Sequence, residues 1–437
     1  MTLIHRSAGQ ALILICLLLA PLLAQAEMVV RVTEGADRRM PIAVVPFGSN
    51  HSREAPQDLD GIIRDDLTMS GDLKTLEPSR MLSLPTSGDD IHFRDWRVLG
   101  QQFVLVGEVD FDAERNRYIL SYELFDVSQQ ERLLGSRASA APSELRTLAH
   151  HVSNRIYERV TGIPGIFNTR LAFVTRTGSG DSVEYRLKVS DVDGRRDQVL
   201  LRSSEPILSP DWSPDGKELV YVSFESGRPA IYRQVVSSGE RRRIARYTGL
   251  NSAPAWSPDG GSLLLTLSKD GSADVYRMPL DTLEPHRLTR HYSINTEPSW
   301  SPDGERFAFT SDRSGNPQVY VQSLEGGEPE RLTFEGTSNA HPVFGPEGQE
   351  IYYIHRADGR YVLGAVDLET GEERVLAGSE IGEAPAMAPN GRLVLYVTSA
   401  GGRKGALEVT TVDGNTRFTL PVEHDGIRDP AWSPLAD

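Results

Sequence analysis

One short turn is written six times in the last two-thirds of this chain. It reads PDWSPDG from residue 210, PAWSPDG from 254, PSWSPDG from 298, PVFGPEG from 342, PAMAPNG from 385 and PAWSPLAD from 430. The large apolar residue of each copy (Trp212, Trp256, Trp300, Phe344, Met387, Trp432) follows the previous one by 44, 44, 44, 43 and 45 positions. The register persists between copies, since Tyr232, Tyr276 and Tyr320 also stand 44 apart. A fixed period of this size means that one supersecondary unit is stacked on copies of itself.

The unit is built of strands. Each turn is followed by a β-rich run such as ELVYVS, SLLLTLS, RFAFTS or EIYYIH. A second strand, a Gly-containing turn and a short strand ending RRIA or ERLT complete the period. Four strands joined by tight turns, with no helical stretch, predict a propeller blade. Within the motif Pro fixes φ, Asp accepts a local hydrogen bond and Gly takes the positive φ, so these Asp residues are turn formers and not acids of a catalytic site. The aromatic residue is expected to pack between blades.

The count also predicts closure. Ahead of Trp212 lie three strands (RLAFVTRTG, YRLKVSDVDG, DQVLLR) without a motif of their own, and the final PAWSP has nothing behind it. The last fragment is therefore expected to supply the innermost strand of the first blade, leaving no sheet edge open. Six motifs make six blades over residues 166–437.

Residues 40–165 read as a separate α/β domain. PIAVVPFG is an apolar strand, and FVLVGEVDF and YILSYELFDV read as neighbouring strands. Leu59, Ile62, Ile63 and Leu67 share one helical face that stops at Gly71. Leu145, Leu148, Ala149, Val152, Ile156 and Val160 share another, ending at Gly162. The expected arrangement is two helices on one face of a small sheet.

The start of the chain reads as a secretory signal. A weakly basic segment (His5, Arg6) precedes ALILICLLLAPLLAQA, which ends on Ala24-Gln25-Ala26, so residues 1–26 are expected to be removed before Glu27. The only cysteine, Cys16, falls inside that segment, which predicts an exported product without disulfide, thiol nucleophile or lipid anchor. Loss of Arg6 takes the formal net charge from −15 to −16, which argues against nucleic acid as a partner. The one basic cluster, ERRRIAR at 240–246, is expected to be a solvated outer strand. No other stretch is long and apolar enough for membrane insertion, and the product is expected to act as a monomer.

Catalytic patterns are missing from the sequence. There is no G-x-S-x-G elbow, GTSNA at 336–340 being the nearest approach, and no H-E-x-x-H. The neighbours His150 and His151 are expected to be solvated helix residues that cannot present both rings to one ion. No phosphate loop is present, no cofactor is expected, and the chain reads as a non-enzyme.

Propellers with WSPDG turns occur both in the TolB family and in the lid domains of prolyl-oligopeptidase-type peptidases. The hydrolase half of the second group has no counterpart here. The signal, the charged segment before RMPIAVVPFG, the α/β domain, VTGIPGIFNTRLAFV and the six blades together resemble the TolB family, periplasmic components of the Tol–Pal system, over the whole chain. The resemblance implies a non-enzymatic protein that binds the lipoprotein Pal through its propeller and TolA through an N-terminal arm (27–39). It further implies a role in outer-membrane integrity and invagination during cell division, and colicin-type toxins that exploit the same surface in some species. The alternative reading is an exported propeller enzyme or a peptidase-like lid.

Candidate contacts follow from register positions that vary between blades, since these are not fixed by the fold. Immediately before the motif's Pro stand Ala253, Glu297, His341, Ala384 and Asp429, with Ser209 in the irregular first copy. One residue earlier are Ser252, Thr296, Ala340, Glu383 and Arg428, and three blades keep Asn251, Asn295 and Asn339 before those. The reading places them in loops at one channel mouth, where Glu297, Glu383 and Asp429 would crowd acid. The expected Pal-binding rim is Leu250, Asn251, Ser252, Ala253, Asn295, Thr296, Glu297, His341, Glu383, Arg428 and Asp429. The resemblance puts the TolA epitope on Glu27, Met28, Val29, Val30, Arg31, Val32, Thr33 and Glu34.

Overall fold

The computed structural model describes residues 29–32, 38–49, 55–377, 381–382, 384–398, 405–422 and 426–435. The signal segment and its cleavage site lie outside these residues. Among the described residues no helix is long and apolar enough to cross a membrane.

Six four-stranded antiparallel blades form the propeller, as the repeat predicts. Blade two shows the pattern: Ile207–Trp212 lines the axis, followed outward by Glu218–Ser223, Ala230–Val235 and Arg241–Ala245. The exposed Arg241, Arg242 and Arg243 stand on that outermost strand while Ile244 is buried, as expected for a solvated edge. Closure is as read from the sequence. Strand Ile427–Trp432 pairs antiparallel with Arg170–Thr177 and becomes the innermost strand of blade one. The motif's Asp closes its own turn: Asp259 accepts from Ser257 Oγ and from the backbone N–H of Gly261. Trp256 is 8% exposed and lies among Val220 and Ile231 of blade two and Leu263 and Tyr276 of blade three, so the aromatic residue is an inter-blade wedge.

The N-terminal domain has a six-stranded mixed sheet in the order Leu73–Thr75, Met40–Val44, Phe103–Asp112, Arg117–Asp126, Glu131–Ala140, with the short strand Gly48–Ser49 also paired to Phe103–Asp112. Helices α1 (Leu59–Met69) and α3 (Leu145–Thr161) contribute the apolar faces read from the sequence to the cluster on one side. Helix α2 (Phe93–Val98), which the periodicity does not announce, buries Trp96 with Ala43, Val45, Val104 and Val106 in the cluster on the other.

The first cluster continues into blades one and six through Phe173, Leu395 and Val409, so the two domains share a core. Gly71, in the left-handed region at φ 76°, follows α1, and a Cβ there would sit 2.3 Å from a methyl of Thr411 in blade six. Next to it Arg392 of blade six reaches Asp72 at 2.6 Å, and Tyr157 of α3 donates to the same carboxylate. Against blade one the seam is also polar, and here the expectation for His150 is corrected. His151 is exposed, but His150 is only 2% exposed, with Nδ1 2.8 Å from Asp66 of α1. The helix surface that looks solvated in one dimension is covered by the propeller.

Candidate functional site

The site begins with a conflict inside the innermost strands. Proline has no N–H to give to a ladder, yet each motif's Pro lies within or beside such a strand. The chain resolves this with a bulge: pairing shifts between Leu208 and Asp211, Ser252 and Ala255, Thr296 and Ser299, Ala340 and Val343, and Arg428 and Ala431. The residue before Pro takes up the irregularity in the left-handed region, at φ 48° for Ser209, 45° for Ala253, 55° for Glu297, 54° for His341 and 47° for Asp429. Non-glycine residues held there cost about 1–3 kcal/mol each and persist where the surroundings enforce them. Five repeated left-handed positions around one axis make a patterned ring.

These residues are thus not in loops, as the sequence reading has it, but in the innermost strands of the blades. Ser252, Ala253, Thr296, Glu297, His341, Ala384 and Asp429 line a channel of about 510 Å³. Arg428, one residue before Asp429, pairs in the ladder with Val174, and Ala340 with Ile354. Leu250 does precede its strand, 37% exposed, with its N–H donated to Ser268 Oγ. Glu383 lies outside the described residues.

The three asparagines turn inward. Asn251 donates to the carbonyls of Tyr247 and Gly249, Asn295 to Asp274, and Asn339 to Gln318 and the Glu335 carbonyl, all with the residue fully buried. Their amides shape the turn into the innermost strand, as an Asx-type bond does.

Of the three acids expected to crowd the mouth, Glu297 and Asp429 line the channel, and Glu383 lies outside the described residues. Glu297 Oε1 is 3.0 Å from His341 Nε2, and Oε2 accepts from Thr310 Oγ1 (2.7 Å) and from the His341 N–H (3.0 Å). That carboxylate therefore bridges blades four and five. Asp429 is pushed above the usual carboxylate range by burial, against the weaker pull of Arg428, the Ser209 N–H and His341. A third acid, Asp211, does not figure in the sequence reading. It is the only carboxylate at the position after the motif's first Pro, where the other copies hold Ala255, Ser299, Val343, Ala386 and Ala431. Burial pushes it up to about 7.

Several large apolar residues are exposed in the loops around the channel. Tyr292 is 88% exposed, Phe334 64% and Ile294 54%, all in the connections from an outer strand to the next innermost strand, as is Leu250. Exposed large apolar groups gathered at one set of connections mark a contact surface. Their signal in the sequence is HYSIN and TFEGT, aromatic and branched residues where turns are otherwise polar.

At the outside of blade six lies the other candidate element. Strand Val29–Val32 pairs antiparallel with Thr416–Thr419, Val29 opposite Thr419 and Val32 opposite Thr416, and makes a fifth strand there. Arg31 stands opposite Arg417. Glu27, Met28, Thr33 and Glu34 lie outside the described residues.

Comparison with known proteins agrees with this architecture. The model of the TolB beta propeller domain matches residues 157–436, and that of the TolB amino-terminal domain matches 28–133. The Tol-Pal system protein TolB of Hahella chejuensis is 57% identical over 412 residues, covering 94% of this chain and 96% of that protein. Its counterpart in Thioalkalivibrio sulfidiphilus is 53% identical over 427 residues, covering 98% of each. The crystal structure of TolB from Acinetobacter baumannii superposes with a TM-score of 0.84 at 37% identity, over 93% of this chain and 100% of that one. With the ring of strained residues, the closure through Ile427–Trp432 and both domain matches in hand, the chain belongs to the TolB family of the Tol-Pal system.

Proposed function

We infer that this chain works in the periplasm as a non-enzymatic adaptor of the Tol–Pal system, holding the lipoprotein Pal on its propeller rim and TolA on its N-terminal arm. In that role it supports outer-membrane integrity and envelope invagination during division. The observation that carries the reading is the rim itself: exposed Leu250, Tyr292, Ile294 and Phe334 stand around a channel lined by residues that repeat one left-handed backbone conformation from blade to blade. Such a surface offers an apolar contact with polar positions fixed in advance, which lowers the ordering cost of association.

The arm supports the second half of the reading. A short strand on the edge of a blade exchanges readily between its own sheet and a partner's, because main-chain pairing is equivalent in both. Colicin-type toxins that reach the same rim would compete with Pal there. Titration calorimetry of the mature chain with soluble Pal and with the periplasmic domain of TolA tests both contacts. Saturable 1:1 binding of each is expected, and a chain that binds neither partner would overturn the assignment.

A further inference from the structure

Each blade ends in an outermost strand, and the free edges of these strands are not alike. Blade six has its edge covered by Val29–Val32. In blades three and four the strand is only two residues long, His286–Arg287 and Glu330–Arg331. In blades one, three and five its arginine is spent inside the blade, Arg202 on Glu184, Arg287 on Asp274 and Arg374 on Glu350. Blade two differs, with Arg241, Arg242 and Arg243 in succession and all exposed. Arg241 reaches Glu225 at 2.8 Å, but Arg242 and Arg243 make no ion pair among the described residues. Arg242 stands opposite Arg233, whose own charge is taken by Glu218.

The positive charge continues past the end of that strand. Arg246 donates to the Ser226 carbonyl and Ser226 Oγ to the Arg228 carbonyl, so both arginines stand at the turn between the two middle strands. The Arg228 guanidinium is exposed and has no partner among the described residues. Glu240, just before the strand, is exposed and pairs with none of these cations. In a chain of formal net charge −15 this is a local reversal of sign. The backbone is open as well. Val235 N–H donates to the Glu240 carbonyl, and Arg233 lies opposite Arg242. Bonded pairs alternate along an antiparallel ladder, so the N–H and C=O groups of Arg241 and Arg243 face away from the blade.

We propose that the outer edge of blade two takes an acidic, extended segment of a partner protein as a fifth strand. Blade six shows that such an edge accepts a strand, since Val29–Val32 lies antiparallel on Thr416–Thr419. Main-chain bonds to Arg241 and Arg243 hold the segment, and its carboxylates answer Arg242 and Arg243 along the strand and Arg228 and Arg246 at the turn. Charges on an edge strand also guard it against pairing with other chains. A guard belongs on the strand, however, whereas here the same sign extends to the turn beyond it. An anionic lipid surface offers the opposite charge without a ladder, so the open backbone favours a protein. This contact is separate from the rim and from the arm, and it can stand or fall without them.

Fluorescence anisotropy of the mature chain with a labelled peptide of alternating Glu and Val tests the site. Saturable binding is expected, with slowed hydrogen exchange over residues 241–245. The same peptide with every backbone nitrogen methylated keeps the charge but has no N–H to donate, and should bind about tenfold more weakly or worse. The double variant Arg242→Glu, Arg243→Glu should weaken the unmethylated peptide by about tenfold or more. Its melting should match the parent's, because both side chains are exposed. Arg228→Ala with Arg246→Ala, which leaves the strand untouched, should weaken binding as well. Vesicles of phosphatidylglycerol should not bind. Four results would each overturn the docking edge: no binding of the peptide, equal binding of the methylated form, binding undiminished in the double variant, or vesicles that bind the parent and not that variant.

Discussion

The carboxylate of Asp211 in blade two accepts a 2.7 Å hydrogen bond from the backbone N–H of Trp256 in blade three, so an acid inside the channel joins two blades. Burial raises this acid from 3.8 to about 7, against the pull of the Trp256 and Trp212 N–H groups. The folded protein therefore holds the proton more tightly than the unfolded chain does. The associated stability is complete below about pH 4 and is lost as the pH climbs through 7. Asp211→Asn keeps an acceptor for Trp256 without the charge. It should melt higher than the parent at pH 8, by on the order of 1–4 kcal/mol in stability, and the advantage should vanish near pH 4. Melting curves across that range check both ends.

Trp256→Ala opens a void between blades two and three and removes the ring beneath the Arg233 guanidinium, which lies 5.5 Å from its centroid. A loss of about 3–5 kcal/mol is expected, read by chemical denaturation. A loss under about 1 kcal/mol would mean that the blades do not depend on this wedge.

Closure is testable by truncation. Trp432 donates its indole N–H to Thr169 at 2.8 Å, and Ser433 Oγ accepts from the Arg170 N–H at the same distance. Deleting DPAWSPLAD removes these bonds and leaves Arg170–Thr177 as an open edge, so the product should aggregate in size-exclusion chromatography. A soluble monomer with unchanged melting would contradict the pairing.

On the rim, Thr296→Arg places a long cation on a strand position that lines the channel. Its melting temperature should stay near that of the parent while Pal affinity falls on the order of tenfold or more. Unfolding of the variant with Pal binding retained in the folded fraction would remove Thr296 from the rim.

Deleting residues 27–39 takes away the strand on blade six and should abolish TolA binding with the propeller still folded. If Pal distinguishes docked from free arm, its affinity should change by about 1–3 kcal/mol, since a ligand shifts only an equilibrium whose states it tells apart. Calorimetry with each partner separates the two effects: TolA binding that survives the deletion refutes the epitope, and unchanged Pal affinity refutes the coupling.

The propeller was legible in the sequence because a 44-residue period repeats every strand, turn and wedge, and because the unmatched PAWSP shows how the ring joins. The α/β domain could be read from the helical faces that end at Gly71 and Gly162. The site was legible only as a register. Proline ahead of each Trp suggests a loop, whereas a bulge lets the strand pass through it, and no local pattern distinguishes the two. His150 was opaque for another reason: its burial comes from blade one, far along the chain, and helix periodicity cannot report a surface that another domain will cover. Asp211 was in plain view as the odd residue of its column, but PDW was absorbed into the turn motif.

The pairing of Ile427–Trp432 with Arg170–Thr177 has a temporal side. Thr169 and Trp432 meet across 263 positions, so blade one stays incomplete until nearly all of the propeller has emerged. Contacts of such long range are slow to form. The seam between the two ends of the propeller is thus the last part of the ring to close.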